Sequence, residues 1–436
     1  MYMRNQVHTL YKKAFFFVWK NVQTLPDGIA YHWQNYYLKK IIRHAYRTVP
    51  FYEALWFSRG LSPELVSLKD ISTLPIIQKR LFLEAGEDRF LSSIYKSSKF
   101  SLQKTSGSSG EPLRFIGRQF LASEFYDFAG YRFFVRTGVP LSKVQNTMRI
   151  ARIRMSPFSH SARLFISVAE FMKDPKAVAV SLLKFCPEVV ESYPSILFEL
   201  SQAAKNDERL SSLRFPLAVS YGETLNSAER QSIQNQFHCA IFDRYGLEEL
   251  GAIAAECSHH DGFHIYNESF IVEIVDEKGV SVPSGQRGRI IITDLFNFVM
   301  PFIRYDTGDV GTIINSRCPC GLPGRRLRLG GREGAFLELP KRKIHHFEIA
   351  EVFNDFTERI FQYQIVQKTP SAVEVLIVPS AKFSATDEAL LSERLQSLFG
   401  AAVFITVKYA SEMKHMEGGK IQPILNKMSA PSDIVF

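Results

Sequence analysis

Between about residues 100 and 260, short apolar runs recur between helical stretches, and this alternation restricts the chain to an α/β architecture. Leu217-Ala218-Val219-Ser220-Tyr221 and Ala240-Ile241-Phe242 are two such runs. Upstream, to about residue 90, the patterning is helical; Tyr37 to Tyr46 is one segment, and it ends before Pro50. From 263 to 315 the chain turns strand-rich, through His264-Ile265-Tyr266, Phe270 to Val275, Arg289 to Thr293 and Val310 to Ile314. A small β-barrel-like part or a distorted sheet accommodates those strands. Beyond Gly330-Gly331 an αββαβ pattern follows: a helix near 346–358, strands across 361–378, a helix over 387–399 and a strand over 403–409. A chain of 436 residues exceeds what one hydrophobic core usually supports. Two domains are therefore expected, a large α/β domain over 1–330 and a small α+β domain over 331–436.

With 46% hydrophobic and 22% charged residues the composition is that of an ordinary globular protein. No apolar run approaches the ~20 residues that span a bilayer. The segment Ala14 to Trp19 is apolar, but Lys12, Lys13 and Lys20 bracket it and no small-residue cleavage site follows. It reads as an amphipathic first helix packed on the body, with peripheral membrane contact as the alternative. Five cysteines (186, 239, 257, 318 and 320) without a leader indicate a reducing cytoplasm rather than a disulfide framework. The formal charge of +9 suits an anionic partner such as a nucleotide, coenzyme A, an acidic carrier protein or anionic lipid; nucleic acid is not expected. Arg325, Arg326, Arg328, Arg332, Lys341, Arg342 and Lys343 form the densest basic region, read as solvated surface. Arg149, Arg152 and Arg154 read as an exposed basic strand, and Cys186 and Cys239 as buried hydrophobes.

The stretch Lys104 to Pro112 interleaves Thr105, Ser106, Ser108 and Ser109 with Gly107 and Gly110. Glycine lets backbone N–H groups approach an anion, and the hydroxyls add rotatable donors. Phe100 and Leu102 before it, and Leu113 and Phe115 after it, alternate as strands do, so the loop sits at a hairpin tip. A Walker P-loop is excluded, because no Gly-Lys-Ser/Thr ending opens a helix. A flexible Ser/Gly linker is the competing reading.

Four further segments bear on the choice. Ser220 to Leu225 runs a strand into a turn at Gly222-Glu223, either a plain strand end or a platform against a base. Asp243-Arg244-Tyr245-Gly246-Leu247-Glu248-Glu249 offers an aromatic ring, a glycine for close approach and a carboxylate fit for Mg2+; the plainer reading is an acidic helix start. Arg304 to Asp309 places a carboxylate after a strand, able to accept ribose hydroxyls or to serve as ordinary turn chemistry. Glu417-Gly418-Gly419-Lys420 puts a lysine after flexible glycines, a point charge for a developing oxyanion or a solvated tail residue.

Taken together and in this order, the segments resemble the adenylate-forming (acyl-AMP) ligase superfamily, and within it the phenylacetate-CoA ligase and CapK-like branch. Tyr46 to Tyr52 and Ser192-Tyr193-Pro194-Ser195 agree, so the resemblance covers roughly residues 35–430. It implies a large adenylation domain and a small mobile C-terminal domain. Thr105, Ser106, Gly107, Ser108, Ser109 and Gly110 match the phosphate loop, and Gly222 with Glu223 the adenine-flanking turn. Asp243, Tyr245, Gly246 and Glu249 match the Asp-x-Tyr-Gly-x-x-Glu motif, whose glutamate holds magnesium. Asp309 matches the ribose aspartate, Arg332 the hinge arginine and Lys420 the lysine that assists adenylation. The implied reaction is ATP-dependent activation of a small carboxylic acid as acyl-AMP, followed by transfer to the thiol of coenzyme A or a carrier protein. Transfer to an amine or hydroxyl is the alternative acceptor chemistry, and a non-catalytic basic binding module is the reading of another class. A homodimer is among the candidate assemblies.

Thiolate and imidazole ligands suit tetrahedral zinc, and Cys257, His264, Cys318 and Cys320 would close a structural site. That set also resembles a zinc site found in part of the branch; His259 and His260 compete as ligands. Two departures bear on the second half-reaction. At the hinge, Gly331-Arg332-Glu333-Gly334 places glycine where the family has an acid, and Leu339-Pro340-Lys341-Arg342-Lys343-Ile344-His345-His346 replaces a Gly-rich loop with a CapK-like pattern. Glu111 stands where many relatives carry lysine. Phe125, Tyr126, Phe128, Tyr131, Tyr193 and Tyr221 are candidate pocket-lining residues.

Overall fold

A computed structural model describes residues 26–95, 102–104, 113–116, 148–154, 164–332, 336–356, 358–413, 415, 420–426 and 428. The Thr105–Gly110 loop, Glu111, the aromatics at 125–131 and the residues 416–419 before Lys420 lie outside the described residues. The fold is mixed α/β, and the chain divides into two compact units: Met1–Thr147 with Arg244–Leu329, and Met148–Asp243 with Gly330–Phe436. Among the described residues no helix is long and apolar enough to cross a membrane.

In the first unit, helix Asp27–Thr48 stops at Val49 because a residue before proline disfavours the helical region; Pro50 then opens helix Pro50–Ser58 at a position that needs no N–H. That second helix contributes to an aromatic cluster. The Phe82 and Phe90 rings stack at 3.7 Å, and Phe82 also stacks on Phe302 at 5.1 Å. Tyr52 donates its hydroxyl to the Pro301 carbonyl at 2.9 Å and accepts from the Ile303 N–H at 3.1 Å, pinning the chain just ahead of Asp309.

The strand-rich stretch is antiparallel. Phe270–Val275 pairs with Arg287–Asp294, which pairs with Tyr305–Ile314; Arg326–Arg332 pairs with Phe263–Ile265, and Gly251–Ala255 pairs with Phe263–Ile265 and with Ala240–Leu247. Arg304 is buried at the head of Tyr305–Ile314 with φ of 48°, a left-handed conformation that non-glycine residues rarely take. Its guanidinium bonds Glu273 at 3.0 and 3.1 Å and caps the Ser72 and Leu74 carbonyls, so the strained residue is held by a fully paired buried charge.

In the second unit, Ile150–Arg154 lies between Leu164–Ser167 and Val189–Ser192, and Val189–Ser192 pairs with Leu217–Tyr221, all in parallel. Ile150–Arg154 is therefore an interior strand, not an exposed one. Arg152 is mostly buried and pairs with Glu191 at 2.7 Å. Helices with explicit start signals cover these strands. Asn226 and Glu229 form a capping box on Ser227–Phe237, Asp174 caps Pro175–Phe185, and Pro194 opens Pro194–Lys205. Cys186 ends Pro175–Phe185 in a left-handed conformation and is exposed, contrary to its expected burial, whereas Cys239 is buried.

The C-terminal stretch follows the expected αββαβ order, as His346–Asn354, Ile360–Thr369, Ala372–Pro379, Ala385–Phe399 and Phe404–Tyr409. Its sheet has one strand more than the pattern suggests: Ile424–Asn426 lies parallel to Ile360–Thr369.

Candidate active site and cysteine–histidine cluster

Two site carboxylates of the first unit are buried and hydrogen-bonded. Tyr245 donates its hydroxyl to Asp309 Oδ2 at 2.8 Å, and Tyr305 donates to Glu249 Oε1 at 2.8 Å. Tyr245 thereby ties the Asp-x-Tyr-Gly segment to the aspartate that the sequence places 64 residues later. Gly246 has a local reason as well. A Cβ there would stand 2.4 Å from the Gly251 carbonyl oxygen, so the strand turnback itself requires glycine.

The cysteine–histidine cluster also lies in the first unit. One ligand atom each from Cys257, His264, Cys318 and Cys320 lies within 4.8 Å of the others. The Cys257 and Cys318 sulfurs are 3.6 Å apart, and Cys320 Sγ is 3.3 Å from His264 Nε2. Zinc–ligand bonds in a tetrahedron set sulfur–sulfur edges of about 3.8 Å and sulfur–nitrogen edges of about 3.6 Å. The four donors thus fit a closed zinc site. Burial pushes the Cys257 thiol up to about 12. Burial acts the same way on Cys318, but the Cys320 backbone N–H and the neighbouring thiols outweigh it and hold that thiol below its ordinary value. His260 pairs instead with Glu256 at 3.0 Å, and neither it nor His259 joins the cluster.

Beside the cluster, Arg326 departs from its reading as solvated surface. It is buried, bonded to Asp261 at 2.6 Å and to Ser316, and with Arg328 it holds the Asp261 carboxyl below the usual range.

In the second unit the Gly222-Glu223 turn and Tyr193 lie beside Lys420 and Ile421. Asp243 is buried and accepts from the Ser220 hydroxyl at 2.8 Å. Gly222 has φ of +82°, and a Cβ there would sit 3.1 Å from Lys420 Cε and 3.2 Å from Nζ. Lys420 Nζ also stands 5.5 Å from the centroid of the Tyr193 ring, which packs edge-on to Tyr221 at 5.6 Å. Glu223 is half-buried; one carboxylate oxygen accepts from the Ile421 N–H at 2.7 Å, the other from the Ser195 N–H at 3.0 Å. Burial raises the Glu223 carboxyl above its ordinary value, opposed by those two N–H groups and His415.

More of the C-terminal stretch packs on the same helices. Phe361 lies 4.8 Å from Phe198, its carbonyl accepts from the Asn226 side chain, and Gln362 donates to Glu229 at 3.2 Å. Of Arg332 only the backbone, in strand Arg326–Arg332, is described. Lys341, Arg342 and Lys343 are exposed; Arg342 pairs with Glu348 at 2.9 Å and Lys343 with Glu338 at 3.4 Å. Sequence reasoning missed Glu199, His415 and Arg304, because their partners lie far away in the chain, and Glu229, although its capping partner Asn226 is three residues before it.

Residues 337–427 match the CapK C-terminal domain family. The chain is 23% identical to the phenylacetate-coenzyme A ligase of Thermus thermophilus, over 93% of its own length and 98% of that protein. It is also 23% identical to the Pseudomonas putida enzyme of the same name, over 90% of the chain and 93% of that protein. Among solved structures, 2-hydroxyisobutyryl-CoA ligase in its postadenylation state superposes with a TM-score of 0.75 at 18% identity, covering 93% of this chain and 91% of that one. The fold and the order of its motifs are those of the adenylate-forming ligases. Within that superfamily, the chain resembles the phenylacetate-CoA ligase and CapK-like branch.

Proposed function

We propose that the protein is an ATP-dependent ligase that activates a small carboxylic acid as acyl-AMP and passes the acyl group to the thiol of coenzyme A or a carrier protein. The observation that carries this reading is the approach of Lys420 to the Gly222-Glu223 turn, which brings a cation to the segment matching the family's adenine-flanking turn. In the first step a carboxylate oxygen attacks the α-phosphorus of ATP as the bond to pyrophosphate breaks. In the second, the thiol gives its proton to solvent, the resulting thiolate attacks the acyl carbon, and the bond to AMP breaks.

Little acid–base work is needed in the first step, so positioning and charge neutralisation carry it. Lys420 supplies positive charge to the phosphoryl oxygens. Asp309, held by Tyr245, accepts from ribose hydroxyls, and Thr105, Ser106, Gly107, Ser108, Ser109 and Gly110 donate to the β- and γ-phosphates. Asp243, Gly246 and Arg332 complete the nucleotide-binding set. Glu249, oriented by Tyr305, would hold Mg2+, which supplies charge neutralisation at the phosphates.

ATP–pyrophosphate exchange with a panel of aryl and short-chain acids tests the first step, and AMP release that requires added coenzyme A tests the second. Exchange without thiol-dependent AMP release would move the acceptor to an amine or hydroxyl. No exchange with any acid would contradict the enzymatic reading and favour a basic binding module.

Cys257, His264, Cys318 and Cys320 would hold zinc in a structural role, since four protein ligands leave no open position. Purified protein should then carry about one equivalent of zinc, and chelation should lower its melting temperature by at least several degrees, as ligand loss uncouples metal binding from folding. Metal content below about half an equivalent, with unchanged melting after chelation, rules the site out.

A further inference from the structure

The segment bearing Lys420 is gripped on both sides of the lysine. Directly after it, the Ile421 N–H donates to Glu223 at 2.7 Å. Five residues before it, His415 Nε2 pairs with Glu199 Oε1, and both side chains are largely buried. The two grips share one anchor, helix Pro194–Lys205. Its N-cap residue Tyr193 makes no side-chain capping bond and Pro194 has no N–H, so the Ser195 N–H is the first donor left over. Glu223 satisfies that donor at 3.0 Å with one oxygen and reaches Ile421 with the other. Glu199 stands about one turn further along the same helix. One carboxylate therefore links the helix start to the backbone that presents the lysine, and a second holds the approach to it.

We infer that Glu223 and the Glu199–His415 pair form a clasp that fixes the position of Lys420. They are positioning residues for acyl-adenylate formation. This assignment rests on the proposed function, and it gives Glu223 a task other than contact with the nucleotide base. A lysine side chain has four rotatable bonds, and its charge stabilises a transition state only when held in place. Gly222 leaves the room that the fixed side chain occupies.

The test uses the full chain with Glu223→Gln and, separately, Glu199→Gln. Glutamine keeps the shape of Glu223 but offers one acceptor oxygen for two N–H groups. In either variant kcat for ATP–pyrophosphate exchange should fall about tenfold or more, with KM for ATP changed less than about twofold. In Glu199→Gln, thioester formation from supplied acyl-AMP and coenzyme A should be unchanged. Combined with Lys420→Ala, Glu223→Gln should add no further loss, because the clasp acts through the lysine.

A second readout needs no substrate: trypsin cleavage of the Lys420–Ile421 bond, mapped by mass spectrometry, should accelerate about tenfold in both variants while other sites are cut at unchanged rates. Unchanged cleavage at that bond, or losses that multiply with those of Lys420→Ala, would overturn the clasp. Faster cleavage in a protein that shows no exchange with any acid would leave the clasp standing and remove the enzymatic reading instead.

Discussion

Replacing Lys420 by alanine should lower ATP–pyrophosphate exchange by about 10²–10³-fold, the loss typical of removing one positioned donor to a developing oxyanion. Thermal unfolding should hardly move. Lys420 is partly exposed, and the segment around it is held by the Ile421 N–H and the His415–Glu199 pair, neither of which involves the lysine ammonium. The effect should fall on kcat, since charge accumulates on the phosphoryl oxygens mainly as the bond to pyrophosphate breaks. Lys420→Arg should restore little, because a planar guanidinium does not fit the space above Gly222 in the same way as a compact ammonium. An exchange rate within threefold of wild type would remove Lys420 from the adenylation step.

The second large effect concerns stability against pH. Glu229 is buried in the capping box of helix Ser227–Phe237, and burial, followed by the nearby Glu223 carboxylate, raises its carboxyl from 4.5 to about 8. Gln362 and the Asn226 N–H favour the ionised form, and Asp243 adds to the opposition. The folded value lies above the unfolded one, so the neutral acid is the form that the fold prefers. Its contribution is fully present below pH 4.5 and is lost as pH rises through about 8. Across that window the loss is on the order of 5 kcal/mol.

Wild-type protein should therefore melt at progressively lower temperature between about pH 5 and pH 8.5. Glu229→Gln cannot ionise and retains the side-chain shape. Its melting temperature should depend less on pH and should exceed that of wild type at the alkaline end. Parallel pH profiles for the two proteins would show that Glu229 is not the group responsible.

Much of the architecture could be read from local pattern. The alternation of apolar runs with helices, and the αββαβ order after Gly330-Gly331, reappear as elements close to their expected positions. Strand Ile424–Asn426 did not announce itself. Three residues carry no periodicity of their own, and only pairing with Ile360–Thr369 makes them a strand. Arg152 and Arg326 misled for a similar reason. Charge type alone predicts exposure, but Glu191 and Asp261 supply the counter-charges that let these arginines be buried.

What the sequence alone determined is the chemistry available: the small hydroxyl and glycine residues of the 105–110 loop, the carboxylates at 249 and 309, the lysine at 420 and the four soft donors. Residue identity decides such capacity, because donors, acceptors and metal ligands are properties of single side chains. Tertiary structure alone decided which of them meet. It set Tyr245 against Asp309 and gathered Cys257, His264, Cys318 and Cys320. It also placed Glu223 against the backbone beside Lys420, 198 residues away. Contacts at such separations follow from how sheets and helices pack, and no local spacing encodes them.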